Sequence, residues 1–476
     1  MIFWIILAII ILFVAVLCVR AAGLKPTEQS YEGQKAVELP QKAREHLAAL
    51  IRVPTVSNYD IAAMDEEKFS EFRNLLAVIY PTVHANAAPV RIGHTGMLFL
   101  WKGQSSAKPT VLMSHYDVVP ANADRWQHEP FCGEVFDGEL WGRGTLDTKI
   151  TAMAIFEAAE ALMKKGFVPK NDIYISLAGD EEVSGESTPS IVAYMKEKGI
   201  KPNMVLDEGG AIVEGIFPGV AKPIAVVGIG EKGMMNVQLK AKSAGGHAST
   251  PKLPSALGQL GKAMVSCEKH PFKAHITKPV TELFTTVGAH APFALRIVFA
   301  NLWCFGGILK LISPKLGGEV AAMMRTTMAF TMASGSKQIN VLPNEASVGL
   351  NMRLINVDTP TLAEEHLNKV INNDNIKVEV THSQAASPYS DTNGENWQAL
   401  KKAISVTWPQ TIVSPYLMIA CSDSRHYSAI CRDVYKFSAM ELSKAQRDMI
   451  HNDNERIPLE TIDKTVEFYL RFESEL

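Results

Sequence analysis

One pattern recurs along this chain and restricts its fold more than any other. A short, β-rich apolar run stops abruptly at acidic or histidine residues, and a helical pattern follows. It occurs as Thr110-Val-Leu-Met-Ser-His115-Tyr-Asp117, as Ile173-Tyr-Ile-Ser-Leu-Ala-Gly-Asp-Glu181-Glu182 and as Met204-Val-Leu-Asp207-Glu208. Tyr416-Leu-Met-Ile-Ala-Cys-Ser-Asp423 repeats it near the other end. Apolar strands alternating with helices predict an α/β fold, a mostly parallel, doubly wound sheet covered on both faces. Ligands of such sheets bind beyond the carboxyl ends of the strands, which is where the polar clusters fall. One covering helix is visible in Ala152, Ile155, Phe156, Ala159 and Leu162 at helical spacing, with Gly166 as its stop.

The pattern changes between residues 229 and 383. Strand 235–241, helix 254–265, a long hydrophobic middle, strand 346–354, helix 361–370 and strand 376–380 suggest a smaller α+β domain inserted into the larger one. The sequence therefore divides into 1–20, a membrane anchor; 21–40, a polar linker; 41–228 and 384–476, the two parts of a catalytic domain; and 229–383, a lid or dimerisation domain. The last segment, 458–476, carries a proline suited to a first helical turn, then Ile462, Val466 and Tyr469, and is expected to pack back on the main sheet.

The first nineteen residues are apolar throughout and are followed by Arg20 and Lys25. A run of ~18 or more apolar residues suits a membrane span, whereas a signal-peptide core is usually ~7–15 residues. The expected location is a membrane, with a single N-terminal anchor and the catalytic domain outside the cytoplasm; secretion after signal cleavage is the alternative. A second oily stretch, 291–313, is interrupted by Arg296 and Asn301, which are costly in lipid. It is expected to be a buried helix of the inserted domain; the alternatives are a second membrane span and an oily, membrane-facing groove for a lipophilic acyl chain.

Hydrophobic residues make up 47% of the chain, so a large core is possible. The 47 Lys and Arg nearly balance the 50 Asp and Glu, without a long basic run, and nucleic acid is not an expected partner. Six cysteines lie scattered with no CxxC pair; this excludes a cysteine zinc ribbon and leaves at most a single disulfide open.

Carboxylates with one or two imidazoles suit zinc or a similar divalent ion, and a pair of metals needs a carboxylate able to bridge them. The candidates are His115, Asp117, Asp147, Glu181, Glu182, Asp207 and a distant histidine. Singly, each has an ordinary structural reading, because acidic residues at strand ends are usually solvated. Their joint occurrence at three strand ends points to a site.

These residues stand in blocks that resemble a known family. His115-Tyr-Asp117-Val-Val-Pro, Pro130-Phe131, Asp137-Gly-Glu-Leu-Trp-Gly142-Arg-Gly144-Thr-Leu-Asp147-Thr-Lys149 and Gly179-Asp-Glu181-Glu182-Val-Ser-Gly185 are similar to the zinc exopeptidases of aminoacylase and carboxypeptidase S. The ending His451-Asn-Asp-Asn-Glu455-Arg-Ile and the segment Phe299-Ala-Asn-Leu-Trp-Cys-Phe favour the carboxypeptidase S and N-fatty-acyl-amino-acid hydrolase branch.

The resemblance implies two Zn2+ per chain. His115 and Asp207 would hold the first, Glu182 and His451 the second, and Asp147 would bridge both. Asp207-Glu208 offers two carboxylates, of which the spacing in this branch selects Asp207; His426 is the alternative to His451. Asp117 would fix the tautomer of His115, and Glu181 would be the general base. His247, after Gly245-Gly246, would donate to the developing oxyanion, while Asn340 and Arg425 would grip the substrate carboxylate. The residues on their own read His247 as a loop histidine and Arg425 as half of a surface ion pair.

The implied activity is metal-dependent hydrolysis of N-acyl amino acids or short peptides next to a free carboxylate, in a possible homodimer. A Gly-Xaa dipeptide carboxypeptidase is the neighbouring alternative, and a non-catalytic binding protein on the same fold is the alternative of another class.

Overall fold

The computed structural model describes residues 1–27, 36–217, 219–315 and 318–476. Most of the expected linker, 28–35, lies outside the described residues. An eight-stranded sheet carries the larger core. Its strands lie in the order Val90–Ile92, Gly96–Trp101, Asn171–Ala178, Ser105–His115, Met204–Val213, Val434–Glu441, Ile224–Glu231, Ile412–Met418.

The sheet is mixed rather than mostly parallel. Asn171–Ala178, Ser105–His115, Met204–Val213 and Val434–Glu441 run parallel. Gly96–Trp101 is antiparallel to its neighbour, and Ile224–Glu231 and Ile412–Met418 form a parallel pair pointing the other way. For Ile224–Glu231 the reason is the connection 214–223, which has no helix among its described residues. A parallel neighbour needs a crossover of about a dozen residues or more, so the chain turns back on itself here.

Strand alternation divides the sheet into two apolar faces. Phe99, Leu112, Ile175, Leu177 and Leu206 pack with Ala152, Ile155, Phe156 and Ala159 of helix Lys149–Lys164, and with Val466 and Tyr469 of helix Leu459–Glu475. Leu98, Val111, Met113, Tyr174 and Val205 face the other way, against Ile191, Val192 and Met195 of helix Ser187–Glu197 and Tyr427. Gly166, at φ +72°, stands where the sequence places the stop of the first helix. A three-stranded sheet, Arg456–Pro458, Glu139–Trp141 and Glu134–Phe136, ties the chain's end to the loop that precedes Lys149–Lys164.

Lys232 alone separates the end of Ile224–Glu231 from Gly233–Lys242, the first strand of a second sheet. That sheet is antiparallel, in the order Thr327–Ser334, Glu345–Leu354, Gly233–Lys242, Ile376–Gln384. Helices Ala256–Lys269 and Pro360–Ile371 cover one face around Val237, Leu239, Leu260, Val348, Leu350 and Leu367. Thr327–Ser334 is an additional edge strand; its residues are mostly exposed, so it carries little of the alternation that marks the others.

The hydrophobic middle packs elsewhere. Val280, Leu283, Phe284, Phe299, Leu309 and Met324 belong to the core of the large sheet, not to that of the small one. Residues of this stretch thus bury their apolar side on the Ile412–Met418 edge while 233–242 and 345–384 form a separate core. Helices Phe293–Ala300 and Leu302–Ile312 within it are only partly buried. Helix Ile2–Gly23 is apolar and mostly exposed, with only Leu17 and Ala21 buried. All six cysteines are free thiols.

Candidate metal centre

Three neighbouring strands stop or lose their pairing at one place. Ser105–His115 ends on His115, Asn171–Ala178 leads into a tight turn at Glu181–Val183, and Met204–Val213 pairs with Ser105–His115 only as far as Leu206. Nδ1 of His115 donates to the carbonyl of Asp117 at 3.0 Å and lies 3.3 Å from its carboxylate. Asp117 is fully buried, and its two carboxylate oxygens accept from the amides of Glu181 (3.2 Å) and Glu182 (3.1 Å). One side chain therefore fixes the ring of His115 and the turn that presents both glutamates.

Nε2 of His115 faces Oδ1 of Asp147 at 3.0 Å and Oε1 of Glu208 at 3.3 Å. The other oxygen of Asp147, Oδ2, lies 3.0 Å from Nε2 of His451, which is also 2.9 Å from Oε2 of Glu182. Asp147 thus stands between two imidazoles, one oxygen to each. His451 comes from the opposite end of the chain, in a left-handed conformation at φ +60°.

Donor atoms of His115, Asp147 and Glu182 lie within 4.8 Å of one another, and so do those of His115, Glu181 and Glu208. Separations near 3 Å approach the ~3.3 Å edge of a tetrahedron with ~2.0–2.2 Å metal–ligand bonds. A buried oxygen of Glu182, Oε1, has no protein partner. Four carboxylates and two imidazoles in a largely buried pocket form a donor set of the hard, imidazole-bearing kind that suits divalent zinc. The residues fit a metal.

The electrostatics say the same. Burial pushes the Glu181 carboxyl well up, with Asp423, Glu208 and Asp147 adding repulsion and His115 opposing. Burial lifts Glu208 to about 7. Burial alone would raise Asp147, but hydrogen bonds from His115 and His451 hold it low. Hydrogen bonds to Asp147 and Glu182 raise His451 to about 10. Cationic charge is what this pocket lacks, and protons on the imidazoles supply it in the absence of metal.

Asp207 is the one expected ligand that the geometry turns away. Successive residues of a strand point to opposite faces. Asp207 goes with Val205 toward the turn Asp423–Ala429, where its carboxylate accepts from the amide of Ser424 at 3.2 Å. Glu208 takes the place beside His115. His426 stands outside the cluster, half-buried, its imidazole driven down to about 4 by burial and by Arg425.

Glu455 was legible only as a letter in the terminal block, and it organises the site. Fully buried, it accepts from the amides of Gly144 (3.1 Å), Leu146 (2.7 Å) and Asp147 (3.3 Å) and from Nη1 of Arg143 at 2.7 Å. The carboxylate four residues after His451 thereby holds the backbone of the residue that stands between the two imidazoles. An acid in a run of polar residues at a chain end is the only sequence signal for this.

The three expected substrate residues fall in two places. His247 lies on the short strand Gly246–His247, which pairs with Val341–Leu342 beside Asn340, and the amide of Ala248 donates to the carbonyl of Asn340 at 3.0 Å. Both side chains are exposed, and no hydrogen bond links either to the acidic cluster among the described residues. Arg425 is on the sheet side, in the turn Asp423–Ala429 that also receives Asp207; its Nε and Nη1 are buried without a protein partner.

A shared carboxylate between two imidazole-bearing corners, at the strand ends of an α/β sheet, defines this protein as a hydrolase of the metallopeptidase class. The model of peptidase family M20/M25/M40 matches residues 111–474, and the chain belongs to that family, in which zinc dependence is typical. It is 34% identical over 442 residues to a probable carboxypeptidase S-like protein of Dictyostelium discoideum, covering 91% of this chain and 84% of the relative. It is 31% identical over 474 residues to an N-fatty-acyl-amino acid synthase/hydrolase of Xenopus tropicalis, covering 97% and 92%. Its fold is similar to that of an M20 family metallo-carboxypeptidase from Sulfolobus solfataricus, with a TM-score of 0.68, 16% identity and coverage of 91% and 99%.

Proposed function

We propose that this protein hydrolyses the amide bond of N-acyl amino acids, and of short peptides, next to a free C-terminal carboxylate. The observation that carries the reading is Asp147 spanning His115 and His451, with Glu181 half-buried beside His115. Two zinc ions would be held by His115 and Glu208 on one side and Glu182 and His451 on the other, shared through Asp147. Bound there, such ions polarise a substrate carbonyl and activate water.

The remaining steps belong to the chain's own residues. Glu181, whose backbone is pinned by Asp117, takes a proton from the attacking water and returns it to the leaving amine nitrogen. Arg425 meets the substrate carboxylate with a guanidinium that has buried donors to spare. His247 and Asn340 sit together on an exposed edge of the smaller unit, which supports their reaching the site of a second copy in a homodimer. The smaller unit would then act as lid and dimerisation domain.

The apolar helix Ile2–Gly23 supports an uncleaved membrane anchor; a catalytic part outside the cytoplasm belongs to the same proposal. The relatives named as N-fatty-acyl-amino acid synthase/hydrolases favour a lipophilic acyl group over a plain dipeptide. Metal analysis and an amidase screen on the wild type and Glu181→Gln test the reading. Two zinc ions per chain, rates that climb with acyl length, and near-total loss of turnover in Glu181→Gln with metal retained are expected. Wild-type turnover that survives exhaustive chelation refutes it.

A further inference from the structure

The two helices of the hydrophobic middle leave an apolar face that nothing in the fold covers. Helices Phe293–Ala300 and Leu302–Ile312 meet at a bend of 99°. On the second, Trp303, Ile308 and Leu311 are 61%, 55% and 80% exposed, while Gly306 and Leu309 face inward. No Asp or Glu occurs from residue 293 to 315; the only charges are Arg296, Lys310 and Lys315.

The bend is joined to the N-terminal helix. The ring of Phe13 meets that of Trp303 edge-on at 6.1 Å, and Nε of Arg20 donates to the carbonyl of Ala300 at 3.4 Å. Asn301 is fully buried at the corner. Its amide donates to the carbonyls of Leu17 (3.1 Å) and Ile297 (2.8 Å), and its oxygen accepts from the Trp303 indole at 3.2 Å. The side chain that looks too polar for lipid therefore has its hydrogen bonds satisfied within the protein, as a bilayer interior requires.

We propose that these two helices form a re-entrant wedge inserted into the same bilayer leaflet as the C-terminal half of helix Ile2–Gly23. The inference rests on the anchor reading given above. Whatever surrounds Phe13 also surrounds Trp303, and around an anchor helix that is lipid. Phe13 stands seven positions before Arg20, so at 1.5 Å per residue the wedge reaches ~10 Å below the arginine, a third of a ~30 Å hydrocarbon core. Helices of 8 and 11 residues are too short to cross it. The basic-only charge set suits an anionic headgroup layer. Arg447 pairs with Glu319 at 3.1 Å, linking helix Gly318–Met324, which follows the wedge, to the short helix that precedes His451. Through that ion pair the segment after the wedge touches the short helix that leads to His451.

The test uses the full chain in vesicles of phosphatidylcholine with a minor share of phosphatidylserine, brominated at different acyl depths. Difference fluorescence against Trp303→Phe and Trp4→Phe isolates the wedge and the anchor. Trp303 should lose about half its emission to bromines in the upper part of the acyl chain and less to those near the chain ends. Trp4 quenched with Trp303 unaffected overturns the wedge and leaves the anchor standing; neither quenched means the anchor reading itself has failed. A solvent-sensitive fluorophore on Leu311→Cys, read above the wild-type thiol background, gives a second measurement. A blue shift in vesicles supports the wedge, and emission typical of water overturns it.

Discussion

Glu455→Ala probes the assembly of the site without touching any side chain that would bind metal. The carboxylate is fully buried and takes hydrogen bonds from three backbone amides and the Arg143 guanidinium. Truncation leaves Arg143, itself 2% exposed, with the Asn452 carbonyl at 2.8 Å and the face of Trp126 at 5.3 Å as its remaining support. Removing one member of a buried pair costs about 3–5 kcal/mol. Orphaned amides would add to that figure separately, but they share the same carboxylate and are not additive. Glu455→Gln keeps one carbonyl oxygen for the Leu146 amide while turning an NH2 toward Arg143, and should cost less, about 1–3 kcal/mol. Because the Asp147 amide is among the donors, metal affinity should also fall by roughly 10–100-fold, the range seen when groups behind a ligand are removed. Denaturant unfolding of the full chain in detergent, with and without chelator, reads the first quantity, and competition with a chelating dye reads the second. A Glu455→Ala protein within ~0.5 kcal/mol of wild type, as an ordinary surface change would be, with unaltered metal affinity, refutes the assignment.

Three further outcomes follow from the geometry. Glu208→Gln should weaken metal binding in the same dye competition while Asp207→Asn leaves it nearly unchanged; the reverse order returns the ligand role to Asp207. In the metal-free chain His451 keeps its proton up to about pH 10 against an ordinary 6.5, and Glu208 up to about 7 against 4.5. Both shifts favour the protonated form in the fold, so the stability they contribute is whole below pH 4.5 and is lost as pH rises through 7 and then 10. Metal must displace those protons, so the gain in melting temperature on adding zinc should grow from pH 5 to pH 9, with proton release detectable by calorimetry in buffers of different ionisation enthalpy. A gain that is flat with pH contradicts the site. Arg425→Lys should raise KM by about tenfold or more with kcat retained, through loss of a bidentate contact. The same change should be silent on a substrate whose carboxylate is capped as an amide; an equal effect on both substrates places Arg425 elsewhere.

The main sheet, its covering helices and the place of the acidic cluster were legible because each rests on local periodicity. Val111 and Met113 alternate with Leu112 in the sequence and separate to two cores in the fold. Direction is not local: Ile224–Glu231 runs against Met204–Val213 and Gly96–Trp101 against Asn171–Ala178, and a run such as Ile224-Ala-Val-Val looks alike pointing either way. Asp207 and Glu208 show the same limit at the scale of one residue. Period two says that they face apart, but not which face holds His115. Hydrophobicity also misassigned the middle stretch, since Val280 and Leu283 carry no mark of which core they enter. Asn301 looked costly because its three partners lie outside the pattern, one of them 284 residues away.

The order of the chain gives the site a dependence that no single contact reveals. His115, Asp147, Glu182 and Glu208 all precede the smaller sheet, yet the second imidazole arrives only at His451. It arrives with Glu455, whose carboxylate fastens the 144–147 backbone, and with Arg456–Pro458, which pairs on Glu139–Trp141. Helix Leu459–Glu475 then lies along Lys149–Lys164, burying Val466 and Tyr469 against it. The four early donors alone place several carboxylates around one imidazole, an arrangement that repels itself. The last few dozen residues supply the second imidazole and the bracket for Asp147 together. A chain that stops short of residue 451 would therefore lack both the bracket of the 142–147 loop and the second imidazole of the candidate centre.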